Sequence, residues 1–447
     1  MALALRWLVQ PRLGSPHLTD GGEGSPAPLT LEIDAVVSGG EGLARRPDAP
    51  VVFVPRTAPG EVVEVEIVEG HRQWSRGKLL RIVTPSPSRR APPCPHYAVC
   101  GGCQLQHLDY PAQTTAKTGI IADTLRRIGH IEIEPPEVIA SPSEFEYRNR
   151  VTFVLRRKGN EVVGGLHGFQ DPSRVIDLDR CPLAEPPINR VWTALRDAWG
   201  PGARLLPPGA ELRLTLRSTL DGEVGLVIEG GRGNGDPETL IETVGGLAAI
   251  WRLNAAGEAA WYVGELSLQE RWGSHTLELA GDAFLQVNRR VAGELEAYVL
   301  EQCGDVVGQR VIDAYCGFGL RALDLAWKGA RVVGIDTEEH AISEAHGKAV
   351  ESGATARFIA APVEGALEHE LPANLVLINP PRSGVDEKVL AGLVRKPPAR
   401  VIYVSCDPAT LARDLKRLGE KFQVSACRAY DMFPQTAHVE TVVTLGR

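Results

Sequence analysis

Arg310-Val-Ile-Asp-Ala-Tyr-Cys-Gly-Phe-Gly319 opens the last third of the chain, and its reading decides the architecture there. An apolar run ends at Asp313, gives way to two closely spaced glycines, Gly317 and Gly319, and then to a helical segment. Arg331-Val-Val-Gly-Ile-Asp336, Leu375-Val-Leu-Ile-Asn379 and Arg400-Val-Ile-Tyr-Val-Ser405 repeat the pattern. Short runs that are apolar throughout are strands buried on both faces, so a doubly wound, mainly parallel sheet is predicted over residues 281–447. Ligands of such sheets bind at the carboxyl ends of the strands. Asp313, Asp336, Asn379 and Cys406 all fall at those ends, which brings four polar or reactive side chains to one rim.

The glycine turn lets backbone N–H groups approach a ligand closely. Asp336 lies nineteen residues beyond Gly317, where a carboxylate can hold ribose hydroxyls. By spacing alone this suits a nicotinamide dinucleotide and a methyl donor equally, since Gly317, Gly319 and Ala322 also satisfy the dinucleotide fingerprint. Asn379-Pro-Pro-Arg382 favours the second reading: the prolines present Asn379 rigidly beside a transferable group. Arg382, where nitrogen methyltransferases carry an aromatic, points to a partner with phosphate or a polar ring oxygen.

Ser405-Cys406-Asp407-Pro408 marks the passage from a strand to a helix, with Asp407 suited to the N-cap and Pro408 to the first helical turn. The helix dipole there favours a thiolate at Cys406, against the pull of Asp407. Near the end of the chain, a strand from Ala437 to Leu445 would put His438 and Glu440 on one face. Glu440 suits a general base if burial raises its pKa toward neutrality; a plain strand-end ion pair is the alternative. A thiol and a base together fit methylation of carbon 5 of uracil. Thiol addition at carbon 6 makes carbon 5 nucleophilic, and a base must afterwards remove its proton so that the thiol can leave.

Upstream, residues 29–85 alternate apolar and polar in short stretches separated by Gly and Pro turns, the pattern of a small β-barrel. Six Lys and Arg residues and no acid lie between His71 and Arg90, with Trp74 among them, a candidate nucleic-acid face in a chain whose net charge is -8. Cys94, Cys100, Cys103 and Cys181 suggest a metal site, and four thiolates suit zinc or iron–sulfur equally. A helix is predicted from Tyr110 to about Ile128. Residues 86–280 otherwise read as mostly β, with strands at Arg150–Arg156, Glu211–Leu216 and Gly222–Glu229 and a helix at Pro187–Ala198. No apolar run is long enough to span a bilayer and the start lacks an export pattern, so a cytoplasmic protein without a membrane partner is expected. Residues 1–28 read as a flexible lead-in.

Asn379-Pro-Pro-Arg-Ser-Gly384, Ile402-Tyr-Val-Ser-Cys-Asp-Pro-Ala-Thr410 and Asp431–Glu440 together resemble the RNA 5-methyluridine methyltransferase family. The resemblance implies a C-terminal Rossmann-like S-adenosyl-L-methionine domain, with Cys406 as nucleophile and Glu440 as proton-removing base. Phe284-Leu-Gln-Val-Asn288 resembles a further cofactor element, so Gln286, Tyr315, Asp336 and Asn379 are the implied cofactor contacts, beside Gly317 and Gly319. Leu320 and Asn379 depart from the family's usual residues. Residues 29–85 look like its TRAM domain, and the four cysteines match the ligands of a [4Fe-4S] cluster in the ribosomal-RNA branch. These features make 23S ribosomal RNA the expected substrate, with tRNA as the alternative. A nicotinamide-dependent oxidoreductase and a non-catalytic RNA-binding iron–sulfur protein are the more remote readings.

Overall fold

The computed structural model describes residues 27–447 apart from 160, 255, 256, 258 and 282, so the lead-in expected over 1–28 lies almost wholly outside the described residues. Strands Leu29–Glu32, Ala35–Val36, Glu41–Arg46, Ala49–Pro55, Val62–Gly70 and Trp74–Thr84 form one six-stranded sheet. Trp74–Thr84 pairs antiparallel with Val62–Gly70 and parallel with Ala49–Pro55, curling the sheet around Leu31, Ile33, Val52, Val54, Val63 and Val65. Leu29–Glu32 and Ala35–Val36 are separate strands because the Ile33 N–H between them turns to the Glu61 carbonyl and the Asp34 N–H to that of Leu43. Most of the basic stretch is neutralised within the protein. Arg76 pairs with Glu41 and Glu69, Arg81 with Glu64, Arg89 with the buried Glu61 and Arg90 with Glu144. Only Arg72 and Lys78 of the six are without such a partner among the described residues.

The central region is a seven-stranded sheet built from residues 150–264. Its strands include Arg150–Lys158, Glu211–Ser218 and Val224–Glu229, and helix Pro186–Ala198 lays Ile188, Val191, Trp192 and Leu195 against it. Trp192 stacks on Phe153 at a centroid distance of 3.9 Å.

The C-terminal sheet has eight strands. Its first five in chain order, Arg310–Ala314, Arg331–Asp336, Ala356–Ala360, Leu375–Ile378 and Arg400–Ser405, are parallel. Across the sheet they run third, second, first, fourth, fifth, followed by Glu440–Gly446 and Gln423–Tyr430, and Val138–Ile139 forms the edge. Glu440–Gly446 is antiparallel to both neighbours. The order reverses between Arg310–Ala314 and Leu375–Ile378, and such a switch point opens a ligand crevice.

Two pieces that sequence texture groups with residues 86–280 pack on this unit instead. Helix Tyr110–Thr124, continued by a turn over Leu125–Gly129, buries Ile121 and Leu125 in the core that holds Val401, Tyr403 and Leu411. The hairpin of Leu268–Trp272 and His275–Leu279 buries Leu277 and Leu279 with Phe318 and Ala341. Texture reports the type of an element and not the surface it covers. Among the described residues no helix is long and apolar enough to cross a membrane.

Candidate active site

At the switch point the chain leaves its strand at Ala314 and Tyr315 takes a φ of 63°. That left-handed conformation costs a non-glycine residue about 1–3 kcal/mol and collects at functional sites. It is held by the Tyr315 N–H donating to the Ile335 carbonyl at 2.8 Å. The Gly317 N–H donates to the Asp336 carboxylate at 2.8 Å, and the other Asp336 oxygen accepts from the Glu338 N–H at 3.0 Å. Gly319 caps the following helix with φ 64°, and a Cβ there would meet the Phe358 ring at 2.4 Å, so only glycine fits.

Asp313 is 1% exposed and neither carboxylate oxygen has a hydrogen-bond partner. Burial raises its pKa to about 6, against the opposing charge of Arg321 3.7 Å away. Asn379 is placed beside the turn by its N–H, which donates to the Ala314 carbonyl at 3.3 Å. Gln286 lies in the loop before helix Arg289–Cys303, with its carbonyl accepting from Asn149 at 3.0 Å. The neighbouring Leu285 packs in the cluster of Phe318, which sets that loop against the glycine turn. Two buried oxygens without a hydrogen bond leave Asp313 acceptor capacity for a cationic ligand, and Asp336 keeps acceptor capacity for hydroxyls. These residues fit a cofactor that carries both an ammonium group and a ribose.

The second half of the rim follows from strand register. Ser405 pairs with Thr441 in the antiparallel ladder, and one step beyond that pair stand Cys406 and Glu440. Directly opposed positions of an antiparallel pair lie about 5 Å apart and share a face. Asp407 caps helix Pro408–Leu418, accepting from the Ala409 and Thr410 N–H groups at 2.9 Å each, which fixes the backbone after Cys406. The expected strand from Ala437 begins only at Glu440, since the preceding residues are drawn into a buried loop.

The thiolate expected of the helix dipole does not prevail at Cys406. Burial, then the Glu440 charge, push its thiol up to about 12, while Arg382 hydrogen-bonds the sulfur and acts the other way. Burial raises Glu440, 3% exposed, to about 7, again opposed by Arg382. The Arg382 loop is braced from the helix after Cys406: Arg413 donates to the Ser383 carbonyl, and the buried Asp414 accepts from the Val385 N–H and the Tyr403 hydroxyl at 2.8 and 2.9 Å.

The four clustered cysteines are free thiols, Cys94 half-buried and Cys100, Cys103 and Cys181 buried. Each receives N–H donors: Cys94 from the His96 and Tyr97 backbone, Cys100 from Gly102 at 3.4 Å, Cys103 from the Gln106 side chain and Cys181 from the Leu183 and Ala184 backbone. Burial first, and then the charges of Cys181 and Cys94, push Cys100 up to about 11. Among the described residues no group of three or more His, Cys, Asp or Glu side chains is arranged to hold a single metal ion. One tetrahedral ion with metal–sulfur bonds of about 2.3 Å needs its sulfurs within roughly 4 Å of one another. The donor set, four cysteine sulfurs, has the chemistry of a thiolate-ligated group.

Residues 364–447 match the family model described as tRNA (Uracil-5-)-methyltransferase, and residues 28–80 match the TRAM domain. An uncharacterized RNA methyltransferase of Thermosynechococcus vestitus is 33% identical over 442 residues, covering 94% of this chain and 98% of its own. One of Gloeobacter violaceus is 34% identical over 444 residues, with 94% and 96% covered. The chain belongs to the RNA uracil-5-methyltransferase family. Among solved structures, the Pyrococcus abyssi tRNA (uracil-54, C5)-methyltransferase in complex with S-adenosyl-L-homocysteine is similar, with a TM-score of 0.72 and 26% identity over 93% of this chain and 100% of that one. Membership in the RNA uracil-5-methyltransferases sets aside the nicotinamide and non-catalytic readings.

Several residues that shape this methyltransferase site went unread in the sequence. Asp414 is a carboxylate on the apolar face of a helix between Leu411 and Leu415, and Gln113 and Lys117 stand four residues apart on the buried face of another. Polar side chains on a buried helix face are a readable signal that a partner awaits them.

Proposed function

We propose that this enzyme methylates carbon 5 of a uridine in RNA, with Cys406 as covalent nucleophile and Glu440 as base. One observation carries the reading: the Ser405–Thr441 register sets Cys406 opposite Glu440 on the rim that also holds the glycine turn. S-Adenosyl-L-methionine, when bound, supplies an electrophilic methyl group. Gln286, Tyr315, Gly317, Gly319, Asp336 and Asn379 hold it, and Asp313 joins them as an acceptor. The Cys406 thiol gives up its proton as its sulfur bonds to carbon 6; the ring's 5,6 double-bond electrons move onto the carbon 4 oxygen, which takes up that proton until carbon 5 reacts, and carbon 5 becomes nucleophilic. After carbon 5 has gained its new substituent, the Glu440 carboxylate takes the proton from it. The double bond re-forms and the carbon–sulfur bond breaks, releasing a thiolate that takes the proton back from Glu440. Arg382, which touches the sulfur, stabilises negative charge there.

Cys94, Cys100, Cys103 and Cys181 would hold a [4Fe-4S] cluster with a structural role. Their segment joins three parts of the chain: Arg56 of the barrel donates to the Ala98 carbonyl, Gly101 to the His167 carbonyl, and Gln104 and Leu105 to that of Gln435. About four irons per chain after anaerobic purification support the cluster; stoichiometric zinc overturns it.

Ribosomal RNA is the substrate favoured by the barrel and the cysteine set. A second reading, tRNA, is favoured by the Pyrococcus abyssi enzyme, whose named substrate is tRNA although its likeness extends over 93% of this chain. Mass spectrometry of ribosomal and transfer RNA from cells with and without the protein separates the two. The chemistry is tested with 5-fluorouridine RNA, from which carbon 5 cannot lose a proton: a stable adduct at Cys406 is expected. Active enzyme that forms no adduct with a proven substrate sequence refutes the covalent route.

A further inference from the structure

The loop from Asp431 to Glu440 is gripped by residues from outside its own sheet at successive positions. Lys117 pairs with Asp431 at 2.5 Å and donates to the Phe433 carbonyl at 3.1 Å, and the Tyr147 hydroxyl donates to the Pro434 carbonyl at 3.0 Å. Gln435 comes next, fully buried and with φ 70°. Its N–H donates to Gln113 Oε1 and its Oε1 accepts from Gln113 Nε2, both at 3.0 Å. Its Nε2 donates to Glu144 at 3.1 Å, and Arg90 bridges Gln435 and Glu144. Its carbonyl accepts from the N–H groups of Gln104 and Leu105, the two residues after Cys103, at 3.0 and 2.9 Å. Two residues on, Ala437 meets the barrel: a Cβ on Gly40 would lie 3.3 Å from that of Ala437 and 2.7 Å from that of Gln104.

We propose that Gln435 is a positioning residue that aims the Glu440 carboxylate at the carbon 5 proton, with Gln113 and the backbone after Cys103 as its mount. The proposal rests on the reading of Glu440 as the base. Four residues separate Gln435 from Glu440, and the last turn between them is tied by the His438 N–H to Thr436 Oγ1 at 3.3 Å, so a shift at 435 reaches the start of the strand. Cys406 follows the end of a different strand, just ahead of the Asp407 cap, and does not share this mount. Loosening Gln435 therefore slows proton removal and leaves thiol addition in place. A carboxamide is suited to position 435 because it donates to Glu144 and accepts from Gln113 and Arg90 at once.

The test compares Gln435→Ala and Gln113→Ala with Glu440→Gln on ordinary substrate RNA, reading the covalent protein–RNA adduct, kcat and KM. Thermal protection by S-adenosylhomocysteine serves as a check on the cofactor site. A misplacement of about 1 Å costs on the order of a hundredfold in rate. The expected result is accumulation of adduct in all three variants, with kcat down by that order in the two glutamine variants, KM unchanged and cofactor protection retained. Wild-type turnover in Gln435→Ala and Gln113→Ala, or joint loss of adduct and cofactor protection, overturns the proposal while Glu440→Gln still accumulates adduct. Should Glu440→Gln itself accumulate none, the base reading falls and this proposal with it.

Discussion

Replacing Lys117 by Met should destabilise the enzyme severely, and adding Asp431→Asn should restore much of the loss. Lys117 and Asp431 are both 0% exposed and 2.5 Å apart, far from each other in sequence and central to the grip on the Asp431–Glu440 loop. Burial pulls the Lys117 pKa down, and the Asp431 charge pulls it back up. Removing the ammonium alone strands a carboxylate in the interior, which costs about 3–5 kcal/mol. A domain of roughly 150–250 residues loses about 2–4 °C in Tm per kcal/mol, so the single variant should melt about 6–20 °C lower. The double variant replaces the pair with an uncharged side chain and a neutral amide. It should recover more than half of the shift, because the desolvation of both charges disappears together. Differential scanning calorimetry of the wild type, both single variants and the double variant gives the full cycle. Single-variant losses below about 1 kcal/mol, or a double variant no more stable than the worse single, would refute the argument that the pair is a dry, mutually dependent unit.

Three further outcomes follow from the site. Glu440 titrates near 7 when folded against an ordinary 4.5. Between those values the unfolded chain ionises first, so stability declines as pH rises through the interval, with a penalty of about 3 kcal/mol complete above pH ~7. Glu440→Gln should therefore melt higher than wild type at pH 8 and close to it at pH 4.5, and equal melting at both values contradicts the burial of a carboxylate there. Wild-type proton removal from the adduct, followed by single-turnover kinetics, should rise through pH ~7 and then level off. Gly319→Ala sets a methyl 2.4 Å from the Phe358 ring, and should abolish thermal protection by S-adenosylhomocysteine while leaving the covalent trap at Cys406 on 5-fluorouridine RNA weakened only through loss of the methyl donor. Unchanged cofactor protection in that variant would separate the glycine turn from cofactor binding.

What the sequence disclosed and what it hid divide along a physical line. The parallel sheet was legible because each buried strand is a short apolar run closed by a polar residue, and that pattern is local. The cap at Asp407 with Pro408 behind it was legible for the same reason, and the helix begins at Pro408. The tuning of the thiol was not, because sequence displays the helix dipole and the adjacent Asp407 but not the desolvation that outweighs both at Cys406. Nor did texture show that Tyr110–Thr124 leaves its neighbours in sequence to pack beneath the C-terminal sheet.

The deepest omission concerns how a base comes to face a nucleophile at all. Register puts Cys406 and Glu440 opposite one another one step past the Ser405–Thr441 pair, and on its other side Glu440 is laddered only to Tyr430, the last residue of its strand. A carboxylate that burial raises to about 7 gains little from its surroundings in the ionised form and tends to swing toward water unless its backbone is fixed. The loop before it is fixed by residues more than 280 positions away in sequence: Gln113, Lys117 and Tyr147. The same grip reaches the backbone beside Cys103 and, through Gly40, the barrel. A rigid base in an unfavourable setting thus requires groups from outside the catalytic sheet, and the N-terminal parts of the chain supply them.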